Sequence, residues 1–520
     1  METIVMSYGP VVRSSTTPGQ ALMHHRTPFA AAGLMAVSVL LTGCFATGAT
    51  GTDDPSGEGR IKVAMMLPPR SALSPFSDDA FKLSRWSTAE TLVNLDEKGD
   101  ARPALATRWT RTSDTTWEFV VRQGVTFHDG TTLTATVAAN TLTRAMKASP
   151  KPRILDGVRL EVRAEADKVV LTTDVPDPLV PQRLSSPQLS VLAESAYAPD
   201  GKVNPVGAGS GPFKLVHLNG TTGATLDRFD GYWGDKAKAA GIDVSFVPDG
   251  AARAAAIRGG EAHVVEAVPV SQAALLDQQT VTEVPMPRTN TLYLNTKTGP
   301  FADPALRAAV REAIDAEAIV KGVYEGRADV AEGLLGPALP WAAEGRKALG
   351  ERTKAADPKS TTITLATFTD RAELPEVASV LQQQLQDKGF TVNQVVREYA
   401  HIEQDMLAGK FDAFILSRAT VLDSGDPVAY LRSDFACDGS FNIAKLCDPA
   451  VDAAVVKAAG VEAGDQRRAA ILEAEAAVLR TDAAIPMLHE RVIQGDATSL
   501  VDSAKDPRER LLITATTRLR

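Results

Sequence analysis

An α/β protein built from more than one lobe is predicted, on three observations. The chain has 520 residues, 44% hydrophobic and 23% charged, which is a soluble composition on a length that one core does not fill. Segments with apolar residues at every second position recur along it, and segments of helical period lie between them. Strand and helix that interleave in this way build layered α/β lobes. The one run of membrane type, 29–41, has 13 residues, short of the ~20 that a spanning helix needs.

That run suits the core of a signal peptide. It ends in Leu41-Thr42-Gly43-Cys44, where small residues let a peptidase reach the bond before a thiol that can carry a lipid. The motif resembles a bacterial lipobox and implies a leader 1–43, lipidation at Cys44 and a tether 44–59 rich in Gly, Ser, Thr and Asp. Residues 1–22 carry a single basic residue, Arg13, whereas Met23-His24-His25-Arg26 makes a compact basic head. Met23 is therefore the expected start of translation. A leader implies export, where cysteines oxidise. Cys437 and Cys447 flank a short loop and are expected as a disulfide; a metal site is the rival, but it lacks nearby histidines.

The folded part opens with a strand carrying Ile61, Val63 and Met65. Trp117, Phe119 and Val121 alternate as a second clear strand with one buried face. Gly124 breaks it, Asp129-Gly130 turns, Thr131 to Ala135 restarts the chain, and Thr134 caps a helix through Ala138, Leu142 and Met146. Ile242, Val244 and Phe246 form another strand, followed by a turn at Pro248-Asp249 and a short helix from Ala251 to Arg258. Thr291 to Thr296 is a strand. Asp303-Pro304 caps a helix with Leu306, Val310 and Ile314 on one stripe. Thr362 to Ala366 is a strand, Leu374 to Lys388 an amphipathic helix, and Gly389 to Val392 returns to sheet. Gln466 to Leu479 is the last long helix, before a strand at Ile485 to Leu488.

Several of these segments carry a resemblance. Trp117 to Gly130, Trp86 to Val93, Arg102 to Trp109, Val206 to Leu215, Phe229 to Gly234, Thr291 to Thr296 and the helix after Asp303 resemble, in order, phrases of the family 5 extracellular solute-binding proteins. These are receptors of peptide, nickel and oligopeptide ABC importers. The resemblance covers roughly residues 60–495. It implies a bilobal, flytrap-like periplasmic-binding-protein fold of cluster C type, with an extra subdomain in the first lobe. Lobe I would comprise 60–95, 206–290 and 490–520, the extra subdomain 96–205, and lobe II 291–489. The glycines of Val206 to Leu215 then form a tight turn rather than a phosphate loop, since no Lys-Ser/Thr follows. Tyr232 and Trp233 read as lobe core, and His263, where the family usually has Asp, as structural.

The resemblance also points to ligand contacts. Leu422 to Tyr430 resembles a loop of dipeptide-binding members, which implies that Asp423 accepts a peptide's α-ammonium group, while Asp426-Pro427 holds the loop. Arg85, Arg153 and Arg418 lie in segments expected to line the cleft and can offer a carboxylate a bidentate fork; a structural arginine is the competing reading for each. Trp86 can pack on a ligand side chain or in the core. The Trp that the family often has before this loop is replaced by Arg418-Ala419-Thr420-Val421, which alters the pocket for the first residue.

No nucleophile–base motif, metal-protease motif or P-loop appears, so the expectation is a binding protein with no cofactor and no metal of its own, not an enzyme. A net charge of −9 argues against nucleic acid as a partner. The function implied is a monomeric, lipid-anchored receptor on the outer face of the cytoplasmic membrane. It would capture short peptides and pass them to an ABC permease with its ATPase subunits. A nickel or other metal-chelate receptor, and a non-transport sensor lipoprotein, are the alternatives.

Overall fold

The computed structural model describes residues 59–520, apart from 150, 156–157, 372 and 422–423. The leader, Met23, Cys44 and tether positions 44–58 lie outside the described residues, and so does Asp423. Among the described residues one eleven-stranded sheet dominates. Its order is Thr391–Arg397, Thr362–Phe368, Ala413–Ala419, Val281–Leu294, Ala484–Asp496, Val264–Val265, Arg60–Met65, Gly241–Phe246, Gly223–Arg228 and Phe213–Asn219, with Ala328–Val330 added to Ala484–Asp496.

The strand Arg60–Met65 shows why a mixed sheet suits this sequence. It pairs in parallel with Gly241–Phe246 on one side and Val264–Val265 on the other. Ile61, Val63 and Met65 enter a large core, while Ala64 on the opposite face packs with Ala254 and Ile257 of the helix Gly250–Arg258. A central strand covered on both faces needs apolar residues at nearly every position, and Lys62 is the exposed exception.

Buried side chains gather in two large clusters. One draws on residues between Ile61 and Phe246 together with Val264, Leu500, Leu512 and Ile513; the other runs from Leu292 to Leu488. The first includes a four-stranded sheet of Ala106–Arg111, Thr116–Val121, Lys168–Thr173 and Leu160–Glu165. In Thr116–Val121 the residues Trp117, Phe119 and Val121 are buried, and Thr134 accepts a hydrogen bond from the Val137 N–H at the start of the helix Ala135–Lys147. Between them the restart at Thr131 is shorter than predicted, a single bridge from Thr126 to Thr132.

The second core follows the predicted pattern closely. Helix Glu373–Lys388 buries Leu374, Val377, Ala378, Leu381 and Leu385, and Asp303 caps the helix Pro304–Ala313 through the Ala305 N–H. The last long helix is Asp465–Arg480.

Two strands depart from expectation by their length. Val281–Leu294 has 14 residues and Ala484–Asp496 has 13, whereas the apolar pattern suggested only Thr291 to Thr296 and Ile485 to Leu488. Pro285 and Pro287 hid the first from a pattern search, because proline donates no ladder hydrogen bond and sits in strands only at edges or irregularities. The irregularity is present: pairing between the two strands slips between Pro285 and Thr289. Before the slip, 281–285 pair with 491–495 beside Val264–Val265; after it, 289–293 pair with 484–489 in the second core. Both cores thus share one pair of crossing strands.

Candidate functional site

The motifs singled out in the sequence meet at one knot in the first core. Glu90 accepts hydrogen bonds from Ser210 Oγ at 2.8 Å, Tyr232 OH at 3.0 Å and Trp233 Nε1 at 3.0 Å. Burial pushes its carboxyl above the ordinary range. His128 bonds the Gly211 carbonyl through Nε2 at 2.9 Å and meets Phe229 edge-on. A Cβ on Gly209 would stand 1.9 Å from the Thr88 carbonyl oxygen, and one on Gly211 2.0 Å from that of Ser87. The glycines permit backbones to touch, so this knot is structural and presents no phosphate cradle.

Charges instead collect where the crossing strands change cores. Arg288 lies at the slip and Glu490 opposite it, and Arg371 follows the strand Thr362–Phe368. Arg371 donates to Glu490 at 2.9 Å, and Arg288 stands 3.9 Å from the same carboxylate. From the first core, Arg85 at the end of the helix Ala80–Arg85 pairs with Glu266 at 2.7 Å and lies 3.9 Å from Glu509. Burial and the neighbouring Arg371 lower the proton affinity of Arg288. Burial raises that of Glu509, against the pull of Arg85, and Glu266, Arg288 and Arg371 also act on it. The two groups act on one another electrostatically; within them two ion pairs are close, Glu509 has no close cation, and Arg288 donates to the Ser417 carbonyl at 3.3 Å without a close carboxylate. Such an arrangement can receive a small solute bearing charges of its own.

Glu509 reaches this place on the segment after the last long strand. The Asp506 carboxylate accepts N–H bonds from Arg508, Arg510 and Leu511. Arg510 donates to the Ser185 carbonyl, its own carbonyl accepts from Ser84 Oγ, and the N–H groups of Leu512 and Ile513 bond the Arg85 carbonyl.

The two cores also touch away from the crossing strands. Arg468 pairs with Asp100 at 2.5 Å and Arg111 with Glu462 at 2.8 Å. A Cβ on Gly99 would stand 3.0 Å from the Gly425 carbonyl oxygen, within the loop that resembles the dipeptide phrase. Asp426 anchors this loop: it bonds the Val428 N–H and takes a bidentate pair from Arg467 at 2.6 and 3.1 Å.

The residues proposed from sequence divide. Arg85 joins the charge cluster. Arg418 makes a bidentate pair with buried Asp434, both bonds 2.8 Å, and lies 4.3 Å over Phe441, so most of its fork is committed to the protein. Arg153 is 49% exposed and 3.5 Å from Asp78, on the surface beside the first core. Trp86 corrects an expectation: it is 0% exposed, gives its N–H to Met65 Sδ and packs by Phe246, leaving no face for a ligand. Its bulk and apolar surface gain more from the core than from a wet cleft. Glu266, Arg288, Arg371, Glu490 and Glu509 were not found from sequence. Charged residues inside apolar strands, Arg288 and Glu490, were the available signal.

A recess of about 460 Å³ lies elsewhere, in the second core beside Arg307, Arg480 and Cys447. Arg307 is spent there on the carbonyls of Phe301 and Thr481, so the charges rather than this volume mark the site. The Cys437 and Cys447 sulfurs are at bonding distance, 2.12 Å. Among the described residues no His/Cys/Asp/Glu group of metal-holding geometry occurs, and no helix is long and apolar enough to cross a membrane.

Residues 100–442 match the model of the bacterial extracellular solute-binding proteins, family 5 Middle. The nickel-binding protein NikA of Staphylococcus aureus is 23% identical over 426 residues, 79% of this chain and 83% of its own. The glutathione-binding protein GsiB of Escherichia coli is 28% identical over 317 residues, 58% of this chain and 62% of its own. The crystal structure of a nickel ABC transporter from Bacillus halodurans aligns with a TM-score of 0.76 at 24% identity, over 89% of this chain and 100% of that one.

Proposed function

Because the chain belongs to the bacterial extracellular solute-binding proteins of family 5, we propose that it is the receptor of an ABC importer that captures short peptides between its two lobes. The observation that carries this reading is the mixed cluster of Arg85, Arg288, Arg371, Glu266, Glu490 and Glu509, assembled from both cores and the strands that cross between them. A peptide is a compact carrier of opposite charges, and Arg288, which has no carboxylate nearer than 3.9 Å, is the arginine proposed to take its carboxylate. Asp423, on the loop that Asp426 anchors, is proposed for the α-ammonium group. Closure about the crossing strands would complete recognition and hand the loaded receptor to the permease.

The same reading places the protein outside the cytoplasm, one copy tethered by a lipid on Cys44, with Cys437 and Cys447 oxidised. It binds without chemical conversion, and the proposed domain plan is lobe I at 60–95, 206–290 and 490–520, the extra subdomain at 96–205 and lobe II at 291–489. A second reading, capture of a nickel chelate, is favoured by the nickel-binding names among the similar proteins.

Thermal shift decides between them. A ligand at a hundred times its Kd adds about 2.7 kcal/mol of stability. Mixed di- to pentapeptides should shift the melting temperature, and nickel with histidine should not. The reverse result transfers the protein to chelate capture, and a shift from neither removes both readings.

A further inference from the structure

Glu509 is the charged member of the cluster that the protein itself leaves least satisfied. Its nearest cation among the described residues, Arg85, is 3.9 Å away and already bound to Glu266 at 2.7 Å. Its side chain keeps 30% of its surface accessible. Arg85 is 11% exposed, and its Nε is buried without a partner. The backbone at Glu509 is left-handed, with φ 55°, a conformation that is strained for a residue other than glycine. The Asp506 turn and the bonds to Ser84, Arg85 and Ser185 hold it there nonetheless. A strained residue, anchored on both sides and holding a carboxylate near an arginine already bound to Glu266, is poorly explained as packing.

The charge balance sharpens this. Arg85–Glu266 and Arg371–Glu490 close on themselves, which leaves Arg288 and Glu509. The two feel one another electrostatically. Glu509 therefore keeps an accessible carboxylate whose nearest arginine is committed to Glu266, and a solute cation can complete its pairing.

We propose that Glu509, delivered by the C-terminal segment, is a specificity-determining residue that accepts an alkylammonium group of the captured solute. The proposal rests on the capture reading above. The ammonium is that of a lysine side chain, since Asp423 is proposed for the α-amino group. Calorimetric titration of the whole protein tests this with four tripeptides: lysine or norleucine in the middle of alanines, each with a free or an acetylated amino terminus. The wild type should lose tenfold or more in affinity when lysine is replaced by norleucine, at either amino terminus. Glu509→Gln should erase that difference and leave the peptide lacking the group nearly unchanged. Glu509→Gly relieves the left-handed backbone, so it should fold and show the same loss of discrimination. Equal weakening of all four peptides by Glu509→Gln, or no discrimination by the wild type, overturns the assignment while the capture reading stands. A wild type that binds none of the four overturns both.

Discussion

Replacement of Arg467 should show how firmly one buried ion pair holds the loop that faces the other lobe. Arg467 is 2% exposed on the helix Asp465–Arg480. Its guanidinium gives two N–H bonds to Asp426, 2.6 and 3.1 Å, and reaches the carbonyls of Ala458, Ala459 and Val461 at the end of the helix Pro449–Gly460. Arg467→Met keeps the stem volume and removes the charge. Asp426, itself 9% exposed, then remains as a buried carboxylate without its partner, and helix-end carbonyls lose their donor. Removing one partner of a buried pair costs about 3–5 kcal/mol. The two effects share one residue, so the estimate is not doubled. Urea denaturation of Arg467→Met, Asp426→Asn and the double variant measures the coupling. The double variant should be less destabilised than the sum of the singles by about 1–3 kcal/mol, as residues in one network are. Peptide affinity should fall in both single variants, since the loop next to Gly99 loses its anchor. A loss below about 1 kcal/mol for Arg467→Met, or strictly additive singles, refutes the view that this pair supports the loop.

The glycine crossing gives a second expectation. Gly209→Ala and Gly211→Ala each press a methyl to 2 Å or less from a carbonyl oxygen, and each should destabilise by roughly 1–3 kcal/mol or more in thermal denaturation, as overpacking does. Wild-type stability in both would show that the Ser87-Thr88 backbone can retreat. The pH dependence gives a third. Burial holds His128 and His489 neutral, their pKa pulled down to about 4 from 6.5. The folded state binds their protons less readily than the unfolded chain. Their contribution is therefore complete above pH 6.5 and is lost as pH falls toward 4, by roughly 3 kcal/mol each. Denaturation midpoints measured from pH 7.5 to 4.5 should fall more steeply in the wild type than in His128→Gln or His489→Gln, and equal slopes would contradict this.

What could be read along the chain was local. Alternation at Trp117, Phe119 and Val121, the cap at Thr134, and the stripe of Leu374, Val377, Leu381 and Leu385 each depend on residues within a turn or two, so period and capping chemistry identified them. Family phrases added the lobed fold, and the structure joins those phrases physically, through Glu90 with Tyr232 and Trp233 and through His128 with the Gly209–Gly211 turn. Composition and the leader pointed to export.

The charge cluster was decided elsewhere. Arg85, Glu266, Arg288, Arg371, Glu490 and Glu509 are spread over more than four hundred positions, and no local pattern relates them. They meet because two long strands carry backbone from one core to the other and slip register where Pro285 and Pro287 interrupt the ladder. Trp86 shows the converse: its neighbours in sequence suggested a cleft, yet the apolar surface of an indole gains most where no water remains, and the fold placed it beside Met65 and Phe246. Periodicity records which face of an element is apolar. Which buried charges find one another depends on long-range pairing, and only the assembled sheet determines that.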